Sequence, residues 1–357
     1  MEKYKIKDIC TVLNGRAYKY EELQDSGKYR ILRVGNFFSK DDWYYSDMEL
    51  EDNKYCYNGD LLYAWSANFG PKIWNGEKTI YHYHIWKMIP NENVDKLFLY
   101  YKLFSITDRL KDSSHGSVML HLTKSDMENF VIELPTLTEQ RKIGKILKDI
   151  DNKIELNNEI NNNLYEDAVA LFNKNFPKIQ KGNKTIGEYM IPKRGKNLLT
   201  RDAIDGDTPV VAGGIDPSAY HNQFNTKSPV ITISASGANA GYTNLWNIPV
   251  WASDCSYIDD SITKNVYFWY IVLKTRQNEI FDAQTGSAQP HIYPQHIAEM
   301  SIGELNIAEV ERYNNLVAPL FKMIGENQKE NKRLSQLRDT LLPKLMNGEI
   351  NLDNIEI

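Results

Sequence analysis

Three groups of residues in this chain have types and spacings that bear on chemistry, and they point in different directions. The first is a pair of polar loops, Lys111-Asp112-Ser113-Ser114-His115-Gly116-Ser117 and Ala283-Gln284-Thr285-Gly286-Ser287-Ala288-Gln289, each following an apolar helical stretch. Small polar side chains on such loops can reach base edges, Gln and Asn suiting adenine and Arg suiting guanine. Lys111, Ser114, His115, Ser117, Gln284, Thr285, Ser287 and Gln289 are therefore candidate DNA contacts, with an ordinary solvated turn as the alternative. The second group is His82 and His84, which alternate on one face of an expected strand, a spacing that can bind metal. With no third ligand nearby in sequence, no metal site is assigned. The third group comprises fragments of familiar catalytic motifs. Ser26-Gly27-Lys28-Tyr29 lacks the upstream glycine and the downstream hydroxyl of a phosphate-binding loop. Asp216-Pro217-Ser218-Ala219 approximates the Asn/Asp-Pro-Pro-aromatic segment of a DNA amino-methyltransferase only superficially, and no glycine-rich cofactor loop precedes it. No catalytic residue is nominated, and the chain is expected to bind no cofactor of its own.

What positions the two loops is a repeat. Ile6, Asp8 and Gly15-Arg16 reappear as Ile186, Glu188 and Gly195-Lys196; Ala67-Asn68-Phe69-Gly70 returns as Ala238-Asn239-Ala240-Gly241; Gly116-Ser117 with His121-Leu122 returns as Gly286-Ser287 with His291-Ile292. The offset drifts from about 180 to about 170, as in a duplicated unit with small loop deletions. Short β-like runs (Tyr29 to Val34, Asp60 to Trp65, Tyr81 to Ile89, Pro209 to Ala212, Val230 to Ser234, Val250 to Ala252) and helices at Leu97 to Arg109 and Val266 to Ile280 make each half a mixed α/β unit.

Each half ends in a heptad seam. Ile143, Leu147, Ile150, Ile154, Asn157, Asn161, Leu164, Ala168 and Leu171 recur at alternating spacings of four and three, and so do Tyr313, Val317, Leu320, Ile324, Asn327, Asn331, Leu334, Arg338 and Leu341. The polar interruptions coincide, Asn157 with Asn327 and Asn161 with Asn331. Isolated helices rarely hold in water, so two matching stripes are expected to bury each other. The alternative is that each packs on its own globular unit. A helix of about 35 residues is roughly 50 Å long, which suits a spacer. Thr138-Glu139-Gln140 is expected to cap the first helix and Gly348 to stop the second, while Pro319 either kinks the second helix or marks its start. These features give a division into 1–136, 137–176, 177–306, 307–347 and a tail of 348–357.

Composition sets the outer limits. The chain has 357 residues, 42% hydrophobic and 25% charged, ordinary values for a globular protein of two or so domains. No apolar run approaches the roughly 18 residues that span a bilayer, and the first residues lead into no signal-like apolar stretch. Cys10, Cys56 and Cys255 are odd in number and far apart, which excludes a disulfide framework and a zinc ribbon and suits a reducing cytoplasm. The net charge of −5 argues mildly against nucleic acid, so a DNA surface must come from segregated basic residues or from a basic partner.

Several motifs now converge. Leu137-Thr138-Glu139-Gln140-Arg141-Lys142-Ile143, Gly59-Asp60-Leu61-Leu62 running to Trp65-Ser66, Ser236-Gly237-Ala238-Asn239-Ala240-Gly241 followed by Trp251-Ala252-Ser253-Asp254, and Leu341-Leu342-Pro343-Lys344-Leu345-Met346 with Gly348-Glu349-Ile350 resemble the specificity subunits of Type I restriction–modification enzymes over nearly the whole chain. One departure is Ile307-Ala308-Glu309-Val310, which lacks the usual Glu-Gln pair before the second helix and leaves its start open. The resemblance implies an α+β fold in which two mixed α/β target-recognition domains, an internal pseudo-twofold repeat, are separated by two long antiparallel coiled-coil helices. It implies that each domain reads half of a split double-stranded DNA target, with helix length setting the gap. Ser66, Asn68, Lys72, Ser236, Asn239 and Tyr242, beside those motifs, join the candidate DNA contacts. The resemblance further implies modification subunits using S-adenosylmethionine, two of them expected, and restriction subunits using ATP and Mg. A Type IIB-like specificity subunit and a coiled-coil scaffold that binds no DNA stay open as alternatives.

Overall fold

The computed structural model describes residues 1–38, 41–112, 122–179, 181–286, 289–350 and 352. The chain folds into two compact units: Met1–Ile154 with Arg333–Ile357, and Glu155–Lys332. Both contain stretches of two long helices, Leu137–Asn175 and Ile307–Met346.

The first unit is built on a four-stranded antiparallel sheet ordered Cys10–Asn14, Ile85–Pro90, Leu61–Ser66, Asn68–Ile73. Its central strand, Leu61–Ser66, has apolar residues in succession because both faces are covered. Leu61 and Tyr63 enter the core shared with helix Lys96–Asp112, and Leu62 and Ala64 enter a second core on the other side. That is the two-residue period of a strand expressed as two cores. A second sheet, ordered Tyr44–Ser46, Tyr29–Leu32, Thr79–Tyr81, Tyr55–Cys56, contains one parallel pairing, Ile31 with Ile80 and Leu32 with Tyr81.

The second unit repeats this plan. Its four-stranded antiparallel sheet runs Lys193–Arg194, Cys255–Asp259, Val230–Ser234, Thr243–Trp246. Ile231 and Ile233 pack toward helix Val266–Thr275, Val230 toward the opposite core. The companion sheet, Ala219–His221, Thr208–Val211, Trp251–Ala252, keeps the parallel pairing, here Val210 with Trp251 and Val211 with Ala252. Among the described residues this sheet has no strand corresponding to Tyr55–Cys56. One close backbone approach is duplicated as well. A Cβ on Gly15 would lie 2.3 Å from the His82 carbonyl oxygen, and one on Gly195 would lie 2.4 Å from that of Ser253.

Two local readings change at the level of tertiary structure. The run Tyr81 to Ile89 is not one strand: Thr79–Tyr81 and Ile85–Pro90 belong to different sheets, and His82, Tyr83 and His84 form the connection. The stretch Val266 to Ile280 is two helices, Val266–Thr275 and Gln277–Asp282, broken at Arg276. The Arg276 guanidinium is buried, donates to the Ser301 carbonyl at 2.8 Å and pairs with Glu279. Those bonds fix the break.

The first long helix is capped two residues before the expected position. Thr136, not Thr138, caps the first: its hydroxyl accepts the Glu139 amide at 3.4 Å, and Glu139 Oε2 accepts from the Thr136 amide and hydroxyl at 2.9 and 2.7 Å. This is a capping box, two residues upstream of the expected position. Gln140 instead pins the helix start to a neighbouring loop, accepting from the Asp95 amide at 2.9 Å and donating to Asn93 and Pro135. The second helix begins at Ile307 behind Asn306, whose side chain accepts the amides of Ala308 and Glu309, and it runs unbroken through Pro319. Asn306 supplies the start that the missing Glu-Gln pair left open. Gly348 at φ 70° ends it, as a left-handed glycine does after a helix.

Within each unit the helices pack against each other and against the unit's own core, so both expected modes of burial operate. In the first, Ile143 and Leu147 share a core with Leu342, Leu345 and Met346. There, Asp151 pairs with Arg338 at 2.9 Å and accepts from the Tyr101 hydroxyl at 2.6 Å. In the second, Ala168 and Phe172 pack with Tyr313, Val317, Phe321 and Ile324. Asn157 Nδ2 donates to Asn331 Oδ1, and Asn327 Nδ2 to Asn161 Oδ1, both at 2.8 Å. Partner numbers rise on one helix as they fall on the other, so the segments run antiparallel. Ile150, Ile154, Leu164, Leu171, Leu320, Leu334 and Leu341 are half-buried along the same stripe; Leu171 yields the most enclosed position to Phe172.

Candidate nucleic-acid interface

In the first unit, the hairpin of Leu61–Ser66 and Asn68–Ile73 turns at Ala67, held at φ 62° in the left-handed region. Ser66 is buried at the tip and Asn68 is exposed. The Leu122 amide donates to the Trp65 carbonyl at 3.4 Å, so the chain returns from the polar loop beside the hairpin tip. Lys111, on the last turn of helix Lys96–Asp112, pairs with Asp108 at 2.9 Å. Ser114, His115 and Ser117 lie outside the described residues. Lys72 is engaged inside the unit: its ammonium donates to the Phe37 carbonyl at 2.7 Å, and burial lowers its pKa.

The same tip rests on the turn His82-Tyr83-His84. The Trp65 amide donates to the His84 carbonyl at 3.1 Å and the Trp65 indole to the Tyr83 carbonyl at 2.9 Å. Ring centres of Tyr83 and His84 are 3.9 Å apart, of His82 and Tyr83 4.4 Å, and of Trp65 and His84 5.1 Å. His82 Nδ1 accepts the His84 amide at 3.4 Å. Burial, then the neighbouring charges of His84 and Arg33, lower the His82 pKa to about 4, so this imidazole is neutral at pH 7. The pair does not alternate on a strand, and among the described residues there is no group of three metal-ligating side chains.

The second unit brings its two polar segments together. Ser236 and His291 form a bridge; the Gly237 amide donates to Pro290 at 3.1 Å and the Ile292 amide to Ala235 at 2.9 Å. Thr285 and His291 exchange backbone bonds of 3.0 and 2.8 Å, and Gln284 Nε2 donates to the Ala240 carbonyl at 2.7 Å. Gly237 at φ 82° and Gly241 at φ 86° give the segment its course, which a side chain would strain. Thr285 and Gln289 are exposed, Asn239 and Tyr242 half-buried, and Lys274 stands 4.4 Å from the Tyr242 ring centre. Ser287 lies outside the described residues.

Residues not nominated from sequence complete this edge. The Ser236 hydroxyl donates to Asp254, and Asp254 also pairs with Arg194. Lys193, Lys196 and Arg201 are exposed along the same segment, a local concentration of positive charge in an acidic chain. Gly195-Lys196 and Trp251-Ala252-Ser253-Asp254 both stood out in the sequence. The coupling of Arg194 to Asp254 across 60 positions did not.

No helix among the described residues is long and apolar enough to cross a membrane. Residues 1–166 match the family described as the Type I restriction modification DNA specificity domain. Over 311 residues the chain is 27% identical to the MjaIX specificity subunit of a Type I restriction enzyme from Methanocaldococcus jannaschii, covering 75% of this chain and 72% of that one. It is 25% identical over 272 residues to a putative type I specificity subunit of Mycoplasma pneumoniae, covering 71% and 72%. The crystal structure of a Type I restriction–modification S subunit from M. genitalium has the same fold, with a TM-score of 0.64 at 20% identity over 96% of this chain and 95% of that one. With its duplicated sheets and its paired long helices, the chain is similar in sequence and fold to Type I restriction–modification specificity subunits, and its residues 1–166 match the DNA specificity domain of that family.

Proposed function

We propose that this chain reads a bipartite double-stranded DNA sequence, one half through each unit, and docks modification and restriction subunits that do the chemistry. The observation that carries this reading is the duplicated scaffold. In both units a strand of the four-stranded sheet ends beside the segment that returns from a polar loop, Trp65 with Leu122 and Ala235 with Ile292. Two copies of one surface, with different side chains, suit two different half-sites. The chain itself binds no cofactor in this reading and performs no catalysis. Two modification subunits bring S-adenosylmethionine for transfer to adenine, restriction subunits bring ATP and Mg, and the complex works in the cytoplasm. A basic partner surface offsets the chain's net charge of −5 on DNA.

The test is sequencing of methylated adenines in a host carrying the chain and its modification subunit. Replacing residues 1–136 by the corresponding part of another specificity subunit is expected to change one half of the methylated motif and leave the other. One heptad inserted at matching positions in both long helices is expected to lengthen the gap and preserve both halves. A scaffold that binds no DNA would give no motif at all, and an altered half-site on heptad insertion would sink the spacer role.

A further inference from the structure

The turn that joins the two sheets holds the same place in both units but carries unlike chemistry. In the first unit it is His82-Tyr83-His84, under the hairpin tip through Trp65. In the second it is Ser253-Asp254, under the corresponding tip through the Ala235 amide, which donates to the Asp254 carbonyl at 3.1 Å. Gly15 and Gly195 press on the two turns in the same way. A side chain at either glycine would displace its turn, so the backbone there is fixed while the side chains on the turn differ completely.

We infer that this turn is a base-reading element in each unit, acting through Tyr83 and His84 in the first and through Asp254 with Arg194 in the second. The inference rests on the DNA-reading function proposed above and names side chains that the loop candidates do not include. Tyr83 is exposed, and about a third of the Asp254 side chain and two-fifths of that of Arg194 remain open to solvent. A guanidinium suits the guanine O6 and N7 acceptors, and a carboxylate accepts from the cytosine amino group. Arg194 and Asp254, already paired, thus present a donor and an acceptor side by side, the complement of a G·C pair. Asp254 also takes the Ser236 hydroxyl, which joins this turn to the adjacent loop. In the first unit His82 is the strut, bonded to the His84 amide, and Tyr83 beside it is the exposed ring of the turn.

The experiment uses the full chain with its modification subunit, and reads base preference at every position of the methylated motif. Arg194→Gln and Asp254→Asn are expected to relax a G·C position in one half by about tenfold, the scale of one lost bidentate contact. Tyr83→Ala and His84→Gln are expected to relax a position in the other half and leave the first unchanged. Arg194 is exposed, so Arg194→Gln tests the idea even if Asp254→Asn unfolds; melting temperature establishes which variants are folded. Folded variants that methylate the parent motif with unchanged preference at every base overturn the inference. So does weakening that is uniform across all sequences, which marks a phosphate contact. If the parent chain yields no bipartite motif, the underlying function falls instead, and the two failures are distinguishable.

Discussion

The first unit holds its stretch of the helix pair with a charge, and the second holds its stretch with amides and rings. Asp151 and Arg338 meet across the helix pair at positions whose duplicates are Phe321 and Ala168, two apolar residues in the second unit's core. Around those duplicates Phe172, Phe176, Phe268 and Tyr313 form a ring cluster with centres 5.2 to 6.1 Å apart. What both units retain is backbone: the strand order, the parallel pairing and the glycine pressed on a turn. Duplication has preserved what the chain path needs and released what side chains only fill.

That contrast can be broken at its strongest point first. Phe172→Ala empties the centre of the ring cluster and should cost about 3–5 kcal/mol, read as a denaturation midpoint. A loss below 1 kcal/mol would mean the cluster does not carry the second unit. Next, Gly15→Ala and Gly195→Ala should each cost about 1–3 kcal/mol, because each new methyl meets a carbonyl oxygen well inside contact distance. Equal penalties would sharpen the case for one shared backbone constraint; a silent change at either glycine would argue against it. Asp151→Asn comes third. It leaves Arg338 without its cross-helix charge and weakens the Tyr101 bond, and should cost about 1–2 kcal/mol, less in high salt. An Asp151→Asn chain as stable as the parent would make that ion pair a passenger.

The last test is titration of the first unit's turn. His82 has a folded pKa of about 4 against an ordinary 6.5, so between those values the unfolded chain binds more protons than the folded one. Stability is therefore full above about pH 6.5 and declines as pH falls toward 4. The melting temperature should drop across that window, and His82→Asn should flatten the drop. The corresponding turn of the second unit carries Ser253 and Asp254, with no imidazole, so an unchanged slope in His82→Asn would place the proton uptake elsewhere.

What could be read from sequence follows from how many dimensions a signal needs. The helices were legible because a heptad is a one-dimensional pattern, and Leu147, Asn157 and Val317 all turn inward as their spacing requires. The repeat was legible for the same reason, and the sheets duplicate accordingly. The cap was misplaced by two residues although the Thr-x-x-Glu spacing was there to read: Glu139 stands three after Thr136, and Arg141 three after Thr138. His82 to His84 looked like strand because apolar residues flank them; the change of sheet between Tyr81 and Ile85 is a tertiary event with no local mark. The candidate site was legible as segments, not as an assembly. Nothing in the order of residues brings Asp254 to Ser236, or Gln284 to the Ala240 carbonyl.

The asparagine contacts carry one more consequence. Asn157 and Asn327 are copies, and both donate; Asn161 and Asn331 are copies, and both accept. A helix whose donor meets the acceptor of its own duplicate is its own lock and key. The act of copying was enough to create a matched mate, with no compensating change in either sequence. Drift is costly afterwards, since altering one amide leaves an orphan on the opposite helix of the pair.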